Sequence, residues 1–229
     1  MNDILVLLGF VTTPLELISF ILSVITVWLN IRQTHWAWLF SIISSATYGM
    51  VFFGSSLYGD MGLQLVFIAV SVWGWYQWLH GDDSHAQLPV TRLGARGRAA
   101  CAVGWLAGFV LLAWFLRTYT DTDVPRADGF LTAGSLVGQL LLSRKKVENW
   151  HVWIIVDVLY VALYIHKHLL LTAVLYGAFV AMAVVGLRAW SRTAGTDGGA
   201  GGADGKGSKG SKGSGHGRDA APQGGMVFK

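Results

Sequence analysis

Seven apolar runs leave this chain few ways to fold. They are Leu15–Asn30, Trp36–Phe53, Met61–Leu79, Ala99–Leu116, Phe130–Leu142, Trp150–Ile165 and Leu169–Leu187. Most approach the roughly 17–25 apolar residues that carry a helix across a bilayer. Only 13% of the 229 residues are charged, against about 25% in a soluble domain. The expected fold is therefore all-α: a polytopic membrane protein with seven transmembrane helices.

Seven spans put the termini on opposite sides of the bilayer. With the N-terminus outside, the cytoplasmic side receives Arg32, Arg92, Arg96, Arg98, Arg144, Lys145, Lys146, Arg188 and Arg192. The outside receives only Arg117, Arg126 and Lys167. Lys and Arg collect on the cytoplasmic side of short loops, so the N-terminus is expected outside and the C-terminus inside. No Lys or Arg precedes Arg32, so the charged start of a secretory signal is missing. The one cysteine, Cys101, sits within a span and reads as a small packing residue.

Basic residues occupy loops and the C-terminal end rather than one folded face, so neither DNA nor RNA is expected as a partner. Residues 191–229 hold 13 of the 29 glycines, and such a segment cannot bury enough surface to offset its ordering entropy. They are expected to form a disordered cytoplasmic tail. Residues 1–190 form the expected membrane domain.

The membrane domain resembles itself. "HWAWLFSIISSATYGMVFF" (His35–Phe53) and "NWHVWIIVDVLYVALYIHK" (Asn149–Lys167) each open on a spaced pair of tryptophans and reach a tyrosine about ten residues later. The span after each carries a Gly and a Trp, Gly74 and Trp78 in one case and Gly186 and Trp190 in the other. Trp38 set against Trp153 gives an offset of 115, and Trp78 against Trp190 gives 112, which a three-residue gap reconciles. The expected plan is 3+1+3: one repeat over about 14–80, a linking helix over about 99–117 and a second repeat over about 130–190. An odd linking helix gives both repeats the same orientation, a recognised transporter architecture.

Polar residues inside spans are costly in lipid and should face a cavity or a partner. From "RKKVENWHVWIIVDVLY" (Arg144–Tyr160) onward, Asn149, Trp153, Asp157 and Tyr160 or Tyr164 advance by threes and fours, which places them on one helical stripe. Trp150 adds a second indole. An interfacial aromatic belt explains Trp150, but it does not explain Asp157, roughly 10 Å deeper at 1.5 Å per residue. Two indoles, an amide and a carboxylate suit a flat, aromatic ligand bearing hydroxyls, whether neutral or cationic. Asp60, Gln64, Phe67, Ser71, Trp75 and Trp78 make a similar stripe on the third span, and Gln139 lies in the fifth. The serines and threonines of the second span weigh less, because hydroxyls can bond their own helix backbone.

No His-Glu-x-x-His, cysteine pair, Walker loop or Gly-x-Ser-x-Gly occurs in the sequence, so neither a metal, a cofactor nor an enzymatic activity is expected. Gly104/Gly108 and Gly134/Gly138 have the spacing that lets helices approach closely.

"LYGDMGLQLVF" (Leu57–Phe67), "WGWYQW" (Trp73–Trp78) and "GQLLLSRKKVENWHVWIIVDVLY" followed by "LTAVLYGAF" resemble the PnuC family of bacterial vitamin transporters. The resemblance spans about residues 14–190. It implies a core similar in plan to the SWEET sugar transporters, a homotrimer in the bacterial inner membrane, and facilitated diffusion made one-way by a cytoplasmic riboside kinase. It implies nicotinamide riboside as substrate, with thiamine or riboflavin carried by relatives. The residues it marks are Asn149, Trp150, Trp153 and Asp157 on the sixth helix and Asp60, Gln64 and Trp75 on the third. Gln139 and Tyr160 complete the expected site. On the second helix Ser44 and Ser45 stand where no strong polar ligand can be placed, so that span is left out of the expected site. A thiamine carrier, a non-transporting membrane sensor and, less favoured, a membrane enzyme remain as alternatives.

Overall fold

The computed structural model describes residues 5–7, 10–12, 14–54, 58–81, 88–120, 124–166 and 170–200. A short antiparallel pair, β1 (Leu5–Leu7) and β2 (Phe10–Thr12), precedes seven helices. These are α1 (Pro14–Ile31), α2 (Trp36–Gly54), α3 (Tyr58–His80), α4 (Ala95–Tyr119), α5 (Pro125–Ser143), α6 (Asn149–His166) and α7 (Leu170–Ala200). Each expected span coincides with one helix. The β pair was not foreseen. Among the described residues, three helices are by themselves long and apolar enough to cross a membrane: Ala95–Tyr119, Asn149–His166 and Ala173–Gly195.

The membrane domain was expected to end at residue 190, yet α7 continues to Ala200. Two interactions carry it past that point. Ala194 packs on the main hydrophobic cluster, and the Thr193 hydroxyl donates to the Ala189 carbonyl one turn back. The rest of the expected disordered tail, residues 201–229, lies outside the described residues.

Six helices close a ring in the order α1, α2, α3, α5, α6, α7 and back to α1. α4 stands outside it, packed on α5, with no buried residue of its own. The small residues of α5 make that packing possible. A Cβ on Gly134 would strike the Trp105 ring, and one on Gly129 would meet the Ala113 backbone. On the ring side of α5, Gly138 receives the edge of Trp153.

Residues 112 positions apart make the same contacts (30 and 142, 38 and 150, 78 and 190). α1 and α5 both end in a left-handed residue that is not glycine, Gln33 at φ 57° and Lys145 at φ 47°. The amides of Gln33 and Thr34 bond back to Asn30 and Leu29, and those of Lys145 and Lys146 to Leu142 and Leu141. Both are Schellman closures. Trp38 meets Trp78 edge to face at 5.5 Å, and Trp150 meets Trp190 edge to face at 5.5 Å. Gly74 makes room for the Trp38 ring and Gly186 for the Trp150 ring.

These contacts correct the register expected from sequence. Trp38 corresponds to Trp150, not Trp153, and no three-residue gap is needed. Two tryptophans three apart look alike as a pattern. What distinguishes them is which ring seats on the glycine of the following helix.

Candidate functional site

A cavity of about 300 Å³ lies inside the helix ring. α6 supplies its most polar wall, with Asn149, Trp150, Trp153, Asp157 and Tyr160 all lining it. The 3- and 4-residue steps of that stripe thus converge on one space, as helical periodicity requires. Asn149 and Asp157 are nearly fully buried, although both are polar. The Asn149 side-chain N–H donates to the Lys146 carbonyl at 2.6 Å, which fixes the amide so that its oxygen is the free end. Among the described residues, no Lys, Arg or His lines the cavity.

Gln139 of α5 also lines it, and its amide donates to the Ser71 hydroxyl at 3.4 Å. Ser71 in turn shares a hydrogen bond with Ser41 of α2 at 3.0 Å. This chain of polar groups ties α5, α3 and α2 together beside the cavity.

Two other expected residues fall elsewhere. Gln64 and Trp75 do not line the cavity: Gln64 lies against Gly49 of α2, and Trp75 packs near Trp36, with ring centroids 6.4 Å apart. Asp60 belongs to the first turn of α3, and its side chain lies outside the described residues. The spacing of the α3 stripe was correct, but a stripe has width. At 100° per residue Phe67 and Trp75 point about 80° apart, so the Phe67 edge meets the cavity while the Trp75 edge turns to α2.

The second helix was left out of the expected site, yet it lines the cavity. Ser41, Ser44 and Ser45 line it, as do Ser23, Thr26 and Asn30 of α1 and Tyr176 and Phe179 of α7. Back-bonding accounts for Thr47, whose hydroxyl donates to the Ile43 carbonyl, but Ser41 bonds across to another helix instead. A signal for α1 was present: Ser23, Thr26 and Asn30 advance by three and four. Tyr160 stacks on Tyr164, and Tyr176 packs against both at a tilt, its ring centred 4.7 Å from that of Tyr160.

Indoles pack on one another at the end of the cavity lined by Asn30, Trp38, Leu142 and Trp150. Trp78 and Trp190 bridge the two edge-to-face pairs at 6.1 Å, so Trp38, Trp78, Trp190 and Trp150 form a continuous chain of rings. Beneath it, the buried Lys145 holds its ammonium 4.7 Å from the centre of the Trp78 ring. Burial pulls that ammonium below the usual lysine pKa. Among the described residues no cluster of His, Cys, Asp and Glu could hold a metal.

The arrangement can hold an uncharged or cationic solute of nucleoside size, with aromatic faces for a ring and oxygens for hydroxyls. A model of the family described as nicotinamide mononucleotide transporter matches residues 13–192. The chain belongs to this family. It is a multi-pass membrane protein of a transporter family, built on the PnuC plan. It is 32% identical to the riboflavin/roseoflavin transporter RibM of Streptomyces davaonensis over 181 residues, which cover 76% of this chain and 83% of that one. It is 23% identical to the nicotinamide riboside transporter PnuC of Escherichia coli over 211 residues, covering 81% and 88%. The crystal structure of the vitamin B3 transporter PnuC shares its fold, with a TM-score of 0.64 at 23% identity over 80% of this chain and 82% of that one.

Proposed function

We propose that this family member is a facilitative carrier of a flat vitamin that joins an aromatic ring to hydroxyls, with nicotinamide riboside as the first reading. The observation that carries it is the Asp157 carboxylate, buried in the cavity beside Trp150 and Trp153 with no cationic side chain among the described residues lining the same space. A pyridinium ring supplies the missing positive charge, and indole faces attract it further. Asn149, Gln139 and Tyr160 then serve the ribose and carboxamide. Although the family description names a mononucleotide, a phosphate needs Arg or Lys, and among the described residues the lining has neither. That supports the riboside over its phosphate. It also supports one-way uptake through phosphorylation by a cytoplasmic riboside kinase, since the phosphorylated product would not re-enter the site.

Riboflavin is the second reading, favoured by the 32% identity with RibM. Its ring is neutral, so it would use the aromatic walls without needing the charge of Asp157.

The matching contacts 112 residues apart support two parallel three-helix repeats joined by α4, in the 3+1+3, SWEET-like plan. We place the chain in the bacterial inner membrane with the N-terminus outside and α1 and α5 ending at the cytoplasmic face, by the Lys and Arg distribution. The exposed Val103, Leu106, Val110 and Trp114 of α4 offer an apolar face to lipid or to neighbouring copies in a homotrimer.

Titration of the purified protein with nicotinamide riboside, riboflavin and thiamine, read by tryptophan fluorescence, tests the assignment. Saturation by the riboside at micromolar concentration or below is expected. Saturation by riboflavin alone would favour the second reading, and no response to any of the three would remove the carrier proposal.

A further inference from the structure

We infer that Trp78 and Trp190 are the paired latches of a gate that seals the cavity where α1 and α5 end. The inference rests on the carrier reading above. Its first support is where the indoles reach. The α1–α3 and α5–α7 halves meet within the helix ring at two junctions, α3 with α5 and α7 with α1. At the first, the Trp78 indole N–H donates to the Leu142 carbonyl at 3.2 Å. At the second, the Trp190 indole N–H donates to the Asn30 carbonyl at 3.2 Å, shared with Ile31. Any rocking of one half against the other must break or slide these bonds.

The second support is independent. Among the described residues, the buried side-chain polar atoms without a partner are Asn30 Oδ1, Trp38 Nε1, Trp75 Nε1, Asn149 Oδ1 and Trp150 Nε1. All of them belong to the indole chain or its immediate neighbours. Buried polar groups are almost always paired, and leaving one unpaired is costly. A permanent floor would be apolar or satisfied. This floor is held shut by ring packing and two indole–carbonyl bonds, while its orphaned amide oxygens and indole N–H groups oppose closure. Separation of the halves lets water reach all of them.

A purely structural role for the two tryptophans makes a different prediction, and access from one side tells them apart. A reporter cysteine at Ser44→Cys, in a Cys101→Ala background, is labelled with a membrane-impermeant maleimide in proteoliposomes of each orientation. Trp78→Phe and Trp190→Phe keep a ring and remove only the donor. Each is expected to raise labelling from the face where α1 and α5 end by about 5-fold, taking a typical net hydrogen bond for each, and the pair by more than either alone. Labelling from the other face should stay the same or fall. Unchanged rates in the single variants, or equal rises at both faces, would overturn the gate. Should the double variant not fold, the single variants decide. No vitamin is present in the labelling, so failure of the gate and failure of the substrate reading are separate results.

Discussion

The two halves of the cavity wall share a frame and differ in chemistry. At positions 112 apart, Ser23 and Ser135, Phe67 and Phe179, and Trp78 and Trp190 are the same residue type. Ser41 stands against Trp153, and Ser45 against Asp157. The α1–α3 wall is thus mostly small hydroxyls, whereas the α5–α7 wall brings indole, carboxylate and packed tyrosines. Trp78 and Trp190 sit at the two junctions between the halves, whereas Ser23, Ser135, Phe67 and Phe179 are matched within the cavity lining. The unmatched pairs Ser41/Trp153 and Ser45/Asp157 give that lining its one-sided chemistry. The turns differ as well. The α5–α6 turn is braced by the segment before α4, through Lys146 to the Thr91 hydroxyl at 2.7 Å and the Leu93 amide to Glu148 at 3.0 Å.

Removing the largest difference should have the largest effect. Asp157→Ser gives the α6 wall the residue of its α2 counterpart and should weaken riboside binding about 100-fold, near 3 kcal/mol, the upper range for a charged contact. Isothermal calorimetry reads this directly. If the substrate is riboflavin, the loss should be under about 10-fold, near 1.4 kcal/mol. The shared frame predicts equality instead. Gly74→Ala and Gly186→Ala each push a methyl into an indole and should each cost about 2 kcal/mol of stability. Thermal unfolding in detergent should show the two shifts matched, and a large inequality would break the correspondence of the halves. Trp153→Ser copies Ser41 into the aromatic wall and should weaken binding about 10-fold by loss of stacking. Ser45→Ala, on the hydroxyl side, should change affinity by less than about threefold, since one neutral hydrogen bond to an exposed solute contributes little net.

The helices and the α6 stripe were legible because bilayer thickness and helical period act within a single segment. Run length gave all seven helices, and steps of three and four aligned Asn149 with Asp157. Tertiary choices were not legible. Gln64 and Trp75 lie on the edge of the α3 stripe that turns to α2, and only the neighbouring helix decides which edge meets the cavity. Ser41, Ser44 and Ser45 were discounted because a hydroxyl can serve its own backbone or another helix, and sequence does not say which. Likewise Trp150 and Trp153 were interchangeable until Gly186 was seen to accept the first. The cavity's α1 contribution rests on Ser23, Thr26 and Asn30, ordinary residues whose spacing alone carried the signal.

Uptake into proteoliposomes tests the central claim most directly. Labelled nicotinamide riboside should enter until inside and outside concentrations are equal, without any ion gradient, and unlabelled riboside inside should speed its entry by exchange. No uptake of either the riboside or riboflavin, or accumulation above the external concentration in vesicles without a kinase, would contradict a facilitative vitamin carrier.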